Sequence, residues 1–282
     1  MNTARNFIFL ITSVVLLFSS LKSFTQNLKI CGHRGGFYQN FPENSAPLFD
    51  YTYKNANSSP IILELDIREN FNGNLFVLHD TSLERTTTAT GLIKTSNDSL
   101  LSKTFLKNSL GNISKTPLPT FNEMLVWLKN HPKAWLMLDV KGTSWRKVYD
   151  AVNQYKLDSR VLFLTFKPEN TKEVFQLSTT TNISALIRNE DDWKKILAFQ
   201  PDFKQLVAYI NPQTPVSVIA DLKAKGVRLM ADCSENAKNH PKPFESSFYQ
   251  DLAQSLQLDI MITDYPVEVS RIFAEIIFQD VD

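Results

Sequence analysis

The chain has 282 residues, 43% hydrophobic and 21% charged, the balance of a folded globule rather than a disordered or fibrous chain. With 30 basic against 29 acidic residues and a formal net charge of +1, it has no broad basic field of the kind that holds nucleic acid on its phosphates. That length admits one barrel of roughly 250 residues or two small domains.

Chain order begins with Arg5, an apolar run over 7–18 and a small, polar stretch over 19–25. This order is that of a secretory signal peptide. Ser23 and Thr25 are small residues at the two positions a signal peptidase inspects, so cleavage is expected near Thr25 or Gln26. The expectation is a leader over 1–25 and a mature chain over 26–282, exported to the periplasm or the extracellular space. That run is shorter than the about 20 apolar residues a spanning helix needs, so an uncleaved anchor is the lesser reading, and no stable membrane insertion is expected after cleavage. Losing Arg5 and Lys22 leaves the mature chain near neutrality. Cys31 and Cys233 could pair in an oxidising compartment, but two buried free thiols are the simpler reading, and neither has zinc-site spacing.

Short apolar runs then alternate with segments of helical period. Strands are expected over 28–33, 61–67, 135–140, 161–165, 183–187, 206–210, 227–231 and 260–263. Helices are expected over 45–53, 121–129, 145–155, 169–177, 192–199, 216–225, 247–256 and 267–278. Asn44, Thr120 and Ser144 stand where N-caps belong. Gly226 suits a helix C-terminus that needs a left-handed residue, and Val216, Ile219, Ala220 and Leu222 form an apolar stripe. Eight strands, each followed by a helix, predict an α/β fold, a TIM-type (β/α)8 barrel with its chemistry at the C-terminal strand ends. A small insertion interrupts the pattern after the second strand. Residues 75–78 read as an extra strand, and 81–116, rich in Ser, Thr, Asn and Lys, as an excursion, either a lid or a substrate-facing loop.

Side chains able to do chemistry gather at the expected strand ends. The first strand runs into Gly32-His33-Arg34-Gly35-Gly36, where glycines let a bulky anion approach the backbone. In Glu64-Leu65-Asp66, period-2 geometry puts both carboxylates on one face, to be balanced by an inward salt bridge or by a hard divalent cation. Asp139-Val140-Lys141 repeats the spacing with an acid and a base. Taken alone it reads as an ion pair; beside Glu64 and Asp66, Asp139 completes a set of three carboxylates suited to a metal, and Lys141 could meet a phosphate. His79, in Leu78-His79-Asp80, is a second histidine at a strand end near these acids.

These motifs continue through Pro42-Glu43-Asn44-Ser45, Arg85-Thr86-Thr87 with Gly91, Leu118-Pro119-Thr120-Phe121 and Thr263-Asp264-Tyr265-Pro266. In order and spacing the set is similar to the signature of the glycerophosphodiester phosphodiesterase family, over nearly the whole mature chain. The resemblance implies the same barrel and hydrolysis of a small-molecule glycerophosphodiester to glycerol 3-phosphate and an alcohol. It implies one divalent cation, Ca²⁺ or Mg²⁺, held by Glu64, Asp66 and Asp139, with His33 and His79 as general acid and base and Arg34 and Lys141 on the phosphate. Two departures stand out: Asp139 replaces the family's usual Glu, and the family's Trp-Thr-Val-Asn near the seventh strand gives way to Met230-Ala231-Asp232. His240 and Lys242, in the loop that follows, could supply part of the substrate wall or simply be exposed. His131, before Pro132, is expected at the opposite face with no catalytic role. Two other readings stay open: a phospholipase D-like lyase that releases a cyclic phosphate, and a non-catalytic lipid- or carbohydrate-binding barrel.

Overall fold

Alternation along one strand sets the architecture. The computed structural model describes residues 28–278, so the leader expected over 1–25 lies outside them. Within it, β2 (Ile61–Glu69) turns Ile61, Leu63, Leu65 and Ile67 outward into the large apolar layer beneath the helices, while Ile62 points into a second, inner core. Side chains of that inner layer come from every second position of the barrel strands. They include Cys31, Met137, Leu162, Val207, Met230 and Ile262.

Eight parallel strands close the barrel: β1 (Lys29–Gly32), β2, β6 (Ala134–Val140), β7 (Val161–Thr165), β8 (Asn182–Leu186), β9 (Leu206–Tyr209), β10 (Arg228–Asp232) and β11 (Ile260–Thr263). Each pairs with the next, and β11 returns to β1 through Lys29 and Ile260. The flanking helices are α1 (Ala46–Asn55), α3 (Phe121–Asn130), α4 (Trp145–Gln154), α5 (Pro168–Phe175), α6 (Glu190–Leu197), α7 (Val216–Ala224), α8 (Ser246–Leu256) and α9 (Pro266–Phe278). The expected TIM-type barrel is therefore the observed one. No helix among the described residues is long and apolar enough to cross a membrane.

The excursion has a fold of its own. β3 (Leu75–Val77) runs antiparallel to the end of β2. After it come a short helix α2 (Asp98–Leu101) and a hairpin of β4 (Phe105–Lys107) and β5 (Ile113–Pro117). A small separate core of Leu83, Ile93, Leu101, Leu106 and Leu118 holds this unit together. Its neck is narrow, since the Val77 amide donates to the Pro119 carbonyl at 2.9 Å and Phe76 bridges Thr120.

Several local expectations shift. β1 stops at Gly32 because Arg34 takes a left-handed φ of 52°, which turns His33–Gly35 into a single 3-10 turn. Ser45, not Asn44, caps α1, accepting from the Leu48 amide. Asn44 has φ 58° and its amide serves the barrel mouth instead. Thr120 caps α3 in a reciprocal box with Glu123, and Ser144 occupies the cap position of α4 without a side-chain bond. On α7 the buried stripe is Val218, Ile219 and Leu222, while Val216 is 80% exposed. Gly226 has the expected positive φ. Cys31 and Cys233 are free and buried on opposite sides of the sheet, one in the inner core and one in the outer layer.

Candidate active site

Strand register carries the acids together. Asp66 on β2 lies directly beside Asp139 on β6, and Glu64, two residues earlier on the same face, stands one layer lower. Ligand oxygens of Glu64, Asp66 and Asp139 all lie within 4.8 Å of one another, on residues only 3%, 1% and 9% exposed. The turn after β1 completes the wall. The Arg34 amide donates to Glu64 Oε2 at 2.7 Å, and Asn44 Nδ2 donates to Asp66 Oδ2 at 2.8 Å while its Oδ1 accepts from the Asp66 amide. Two non-glycine residues with positive φ thus sit at the acids, the kind of strain found where a site fixes its backbone. Gly35 is obligatory here: its φ is +93°, and a Cβ would come within 2.6 Å of the Phe49 ring.

The electrostatics are those of crowded like charges. Burial, then the neighbouring Asp66 charge, push the Glu64 carboxyl up to about 8. Burial also raises Asp139, although Lys141 opposes it. Lys141 Nζ sits 2.6 Å from Asp139 and 3.2 Å from Asp66, so its ammonium lies inside the acidic cluster. Arg34 places Nη1 3.1 Å from Glu43 and Nε 3.6 Å from Asp66, and that Nε is buried without a hydrogen-bond partner. An all-oxygen donor set, buried and short of protons only at a cost, fits a hard divalent cation; the orphaned Arg34 Nε fits an anionic oxygen beside it.

Each histidine is oriented by a carboxylate. His33 Nδ1 donates to Asp264 Oδ1 at 2.8 Å, and Asp264 Oδ2 accepts from the Ala237 amide at 3.1 Å. Burial depresses the His33 imidazole, but the Asp264 bond and the Glu64 charge outweigh it and push its pKa up to about 9. Behind Asp264 stands Glu235, which accepts from the Asp264 amide, the Thr263 hydroxyl and the Tyr249 hydroxyl. On the other side His79 Nδ1 donates to Asp80 Oδ1 at 2.7 Å. Arg85 grips Asp80 and Glu43 together, holding Asp80 well below the usual carboxylate range.

All seven residues singled out from sequence, His33, Arg34, Glu64, Asp66, His79, Asp139 and Lys141, come from the C-terminal ends of β1, β2 and β6 or from the turn after β3. Glu43, Asp80, Arg85, Asp264 and Glu235 were given no role. The first four lay inside the recognised motifs, whereas Glu235 carried no sequence signal. A cavity of about 610 Å³ opens beside His33 and Arg34, roofed by the hairpin tip at Lys107–Gly111 and walled by Phe37, Phe41 and Asn236. His240 does not line it; its Nδ1 donates to the Lys242 carbonyl and its ring packs on Phe244. Lys242 faces a neighbouring surface groove. His131 stacks on Trp127 at 4.0 Å on the opposite side of the barrel, as expected.

A model of the glycerophosphoryl diester phosphodiesterase family matches residues 33–268. The chain belongs to this family. It is 27% identical over 145 residues to a glycerophosphodiester phosphodiesterase of Bacillus altitudinis, a match spanning 49% of this chain and 58% of that relative. Among solved structures, a glycerophosphoryl diester phosphodiesterase of Parabacteroides distasonis superposes with a TM-score of 0.77 at 23% identity, covering 92% of each chain. A phosphodiesterase of Oleispira antarctica, solved with the product sn-glycerol-3-phosphate, superposes with a TM-score of 0.65 at 17% identity, covering 87% of this chain and 96% of its own. At these identities the structural likenesses establish the barrel.

Proposed function

We propose that this protein hydrolyses glycerophosphodiesters to glycerol 3-phosphate and an alcohol, as an exported enzyme that uses one divalent cation, Ca²⁺ or Mg²⁺. The observation that carries the reading is the convergence of Glu64, Asp66 and Asp139 with two carboxylate-oriented histidines in one barrel mouth, in a chain of this family. The Oleispira complex with glycerol 3-phosphate supports the product class.

A phosphodiester anion repels nucleophiles, so charge must be drawn off its non-bridging oxygens. Glu64, Asp66 and Asp139 would hold the cation, which supplies that Lewis acidity when bound. Arg34, with its orphaned Nε, would take a phosphate oxygen, and Lys141, beside Asp66 and Asp139, would meet another. His79 accepts the proton of the neighbouring glycerol hydroxyl as its oxygen attacks phosphorus, closing a cyclic phosphate while the bond to the alcohol breaks. His33, which lines the cavity where the alcohol would lie, gives a proton to the departing alkoxide. Water then opens the cyclic phosphate with the two roles reversed.

The test is a panel of glycerophosphodiesters with each cation in turn, assayed for released glycerol 3-phosphate and followed by phosphorus NMR. Accumulation of free glycerol 3-phosphate is expected; a cyclic phosphate that persists would replace the hydrolase with a lyase, and no turnover at all would leave a binding barrel. Export is checked by sequencing the N-terminus of the secreted protein, expected to start near Gln26.

A further inference from the structure

The cavity beside His33 is unequal in charge. Besides His33, four basic side chains line it, Arg34, Arg85, Lys107 and Lys238, against two carboxylates, Glu43 and Asp264. Both carboxylates are already engaged: Glu43 accepts from Arg34 and from Arg85 at 2.7 and 2.8 Å, and Asp264 from His33 and Ala237. Lys107, from the excursion hairpin, donates to the Glu84 carbonyl at 2.9 Å, a neutral acceptor. Lys238 reaches the same cavity from the loop after β10. Among the described residues neither lysine pairs with a carboxylate, so two cations lining the cavity remain uncompensated, and none of Glu64, Asp66 and Asp139 lines it.

We propose that this cavity selects diesters whose alcohol carries a second anion, and that Lys107 and Lys238 are the cations that meet it. The proposal rests on the hydrolase reading above and names its substrate class. At about 610 Å³ the space is far larger than a three-carbon glycerol needs and lies in the usual range for a small-molecule site. Its partly buried apolar side chains, Phe37 and Phe41, strengthen the field of charges placed beside them. A choline or ethanolamine group there would face like charge, a repulsive element that discriminates as much as any contact. An alcohol bearing a phosphate or a carboxylate would find two point charges of the sort that lysine offers to such groups.

Two matched substrate pairs test this. Glycerophosphoinositol 4-phosphate and glycerophosphoinositol differ by one phosphate; glycerophosphoserine and glycerophosphoethanolamine differ by one carboxylate. At low salt kcat/KM is expected to favour the anionic member of at least one pair by about tenfold, the scale of a charged hydrogen bond, and the pair that responds identifies the anion. Added NaCl should shrink the preference. Lys238→Ala, on an exposed loop, and Lys107→Ala should each reduce the ratio several-fold, and Lys238→Arg should keep it. Equal kcat/KM within both pairs, or a preference untouched by either alanine, overturns the proposal. Calorimetry with inositol phosphate on the whole protein separates the two levels: binding lost in the alanine variants without any hydrolysis would retire the hydrolase reading and keep the anion site.

Discussion

His33 Nδ1 lies 2.8 Å from Asp264 Oδ1 although 231 residues separate the two in sequence. The bond joins the turn after the first barrel strand to the end of the last, and it fixes which ring nitrogen of His33 is left free. Asp264→Asn is expected to lower kcat by about a hundredfold, the scale of a misplaced general acid, with the folded barrel retained. Asp264 raises the His33 pKa, so its loss lowers that pKa. As the proposed acid His33 must carry its proton, so the alkaline limb of the kcat profile should move to lower pH. An unchanged profile in the variant would remove Asp264 from this role.

Chelation gives the second expectation. With Glu64, Asp66 and Asp139 as the donors, excess chelator should abolish turnover, and added Mg²⁺ or Ca²⁺ should restore it. Alanine at any of the three should raise the cation concentration needed for half-maximal rate, read directly from a titration. Asp139→Glu, which lengthens the carboxylate by one methylene, should retain a response to added cation. Full activity in chelator would refute the assignment.

Gly35→Ala should be severe for a conformational reason. The new methyl would meet Phe49 ring carbons at 2.6 Å in a backbone already at φ +93°. A loss of about 2 kcal/mol or more in a urea melt is expected. Cation binding should weaken with it, since the same turn presents the Arg34 amide to Glu64.

His131 supplies the contrast. Its Nδ1 donates to the Trp127 carbonyl at 2.6 Å, its Nε2 lies 3.1 Å from Asp50, and its ring stacks on Trp127. His131→Ala should therefore lower stability by about 1 kcal/mol and leave kcat/KM unchanged.

The barrel was legible because strand period and helix period are local properties: the alternation in 61–67 alone separates Ile62, Glu64 and Asp66 from Ile61, Leu63 and Leu65. The acidic triad was legible for the same reason, together with motif order. Partnerships were not. Nothing local says that Asp264 turns to His33, or that Glu43 is shared by Arg34 and Arg85, because each bond depends on barrel closure. Asn44 misled as a cap since its side chain answers to Asp66, a contact 22 residues away. Polar composition likewise concealed the order of 81–116: its few apolar residues, spaced irregularly, find one another only in three dimensions.

The narrow neck at Val77 and Pro119 means that the chain leaves the barrel and comes back at almost the same point. Such a unit can be exchanged like a cartridge, with a short turn or another lobe spliced into its place, while the eight-stranded frame keeps its closure. The lining of the cavity could then change through the roof alone, and the acidic cluster with its two carboxylate-held histidines beneath would stay as it was.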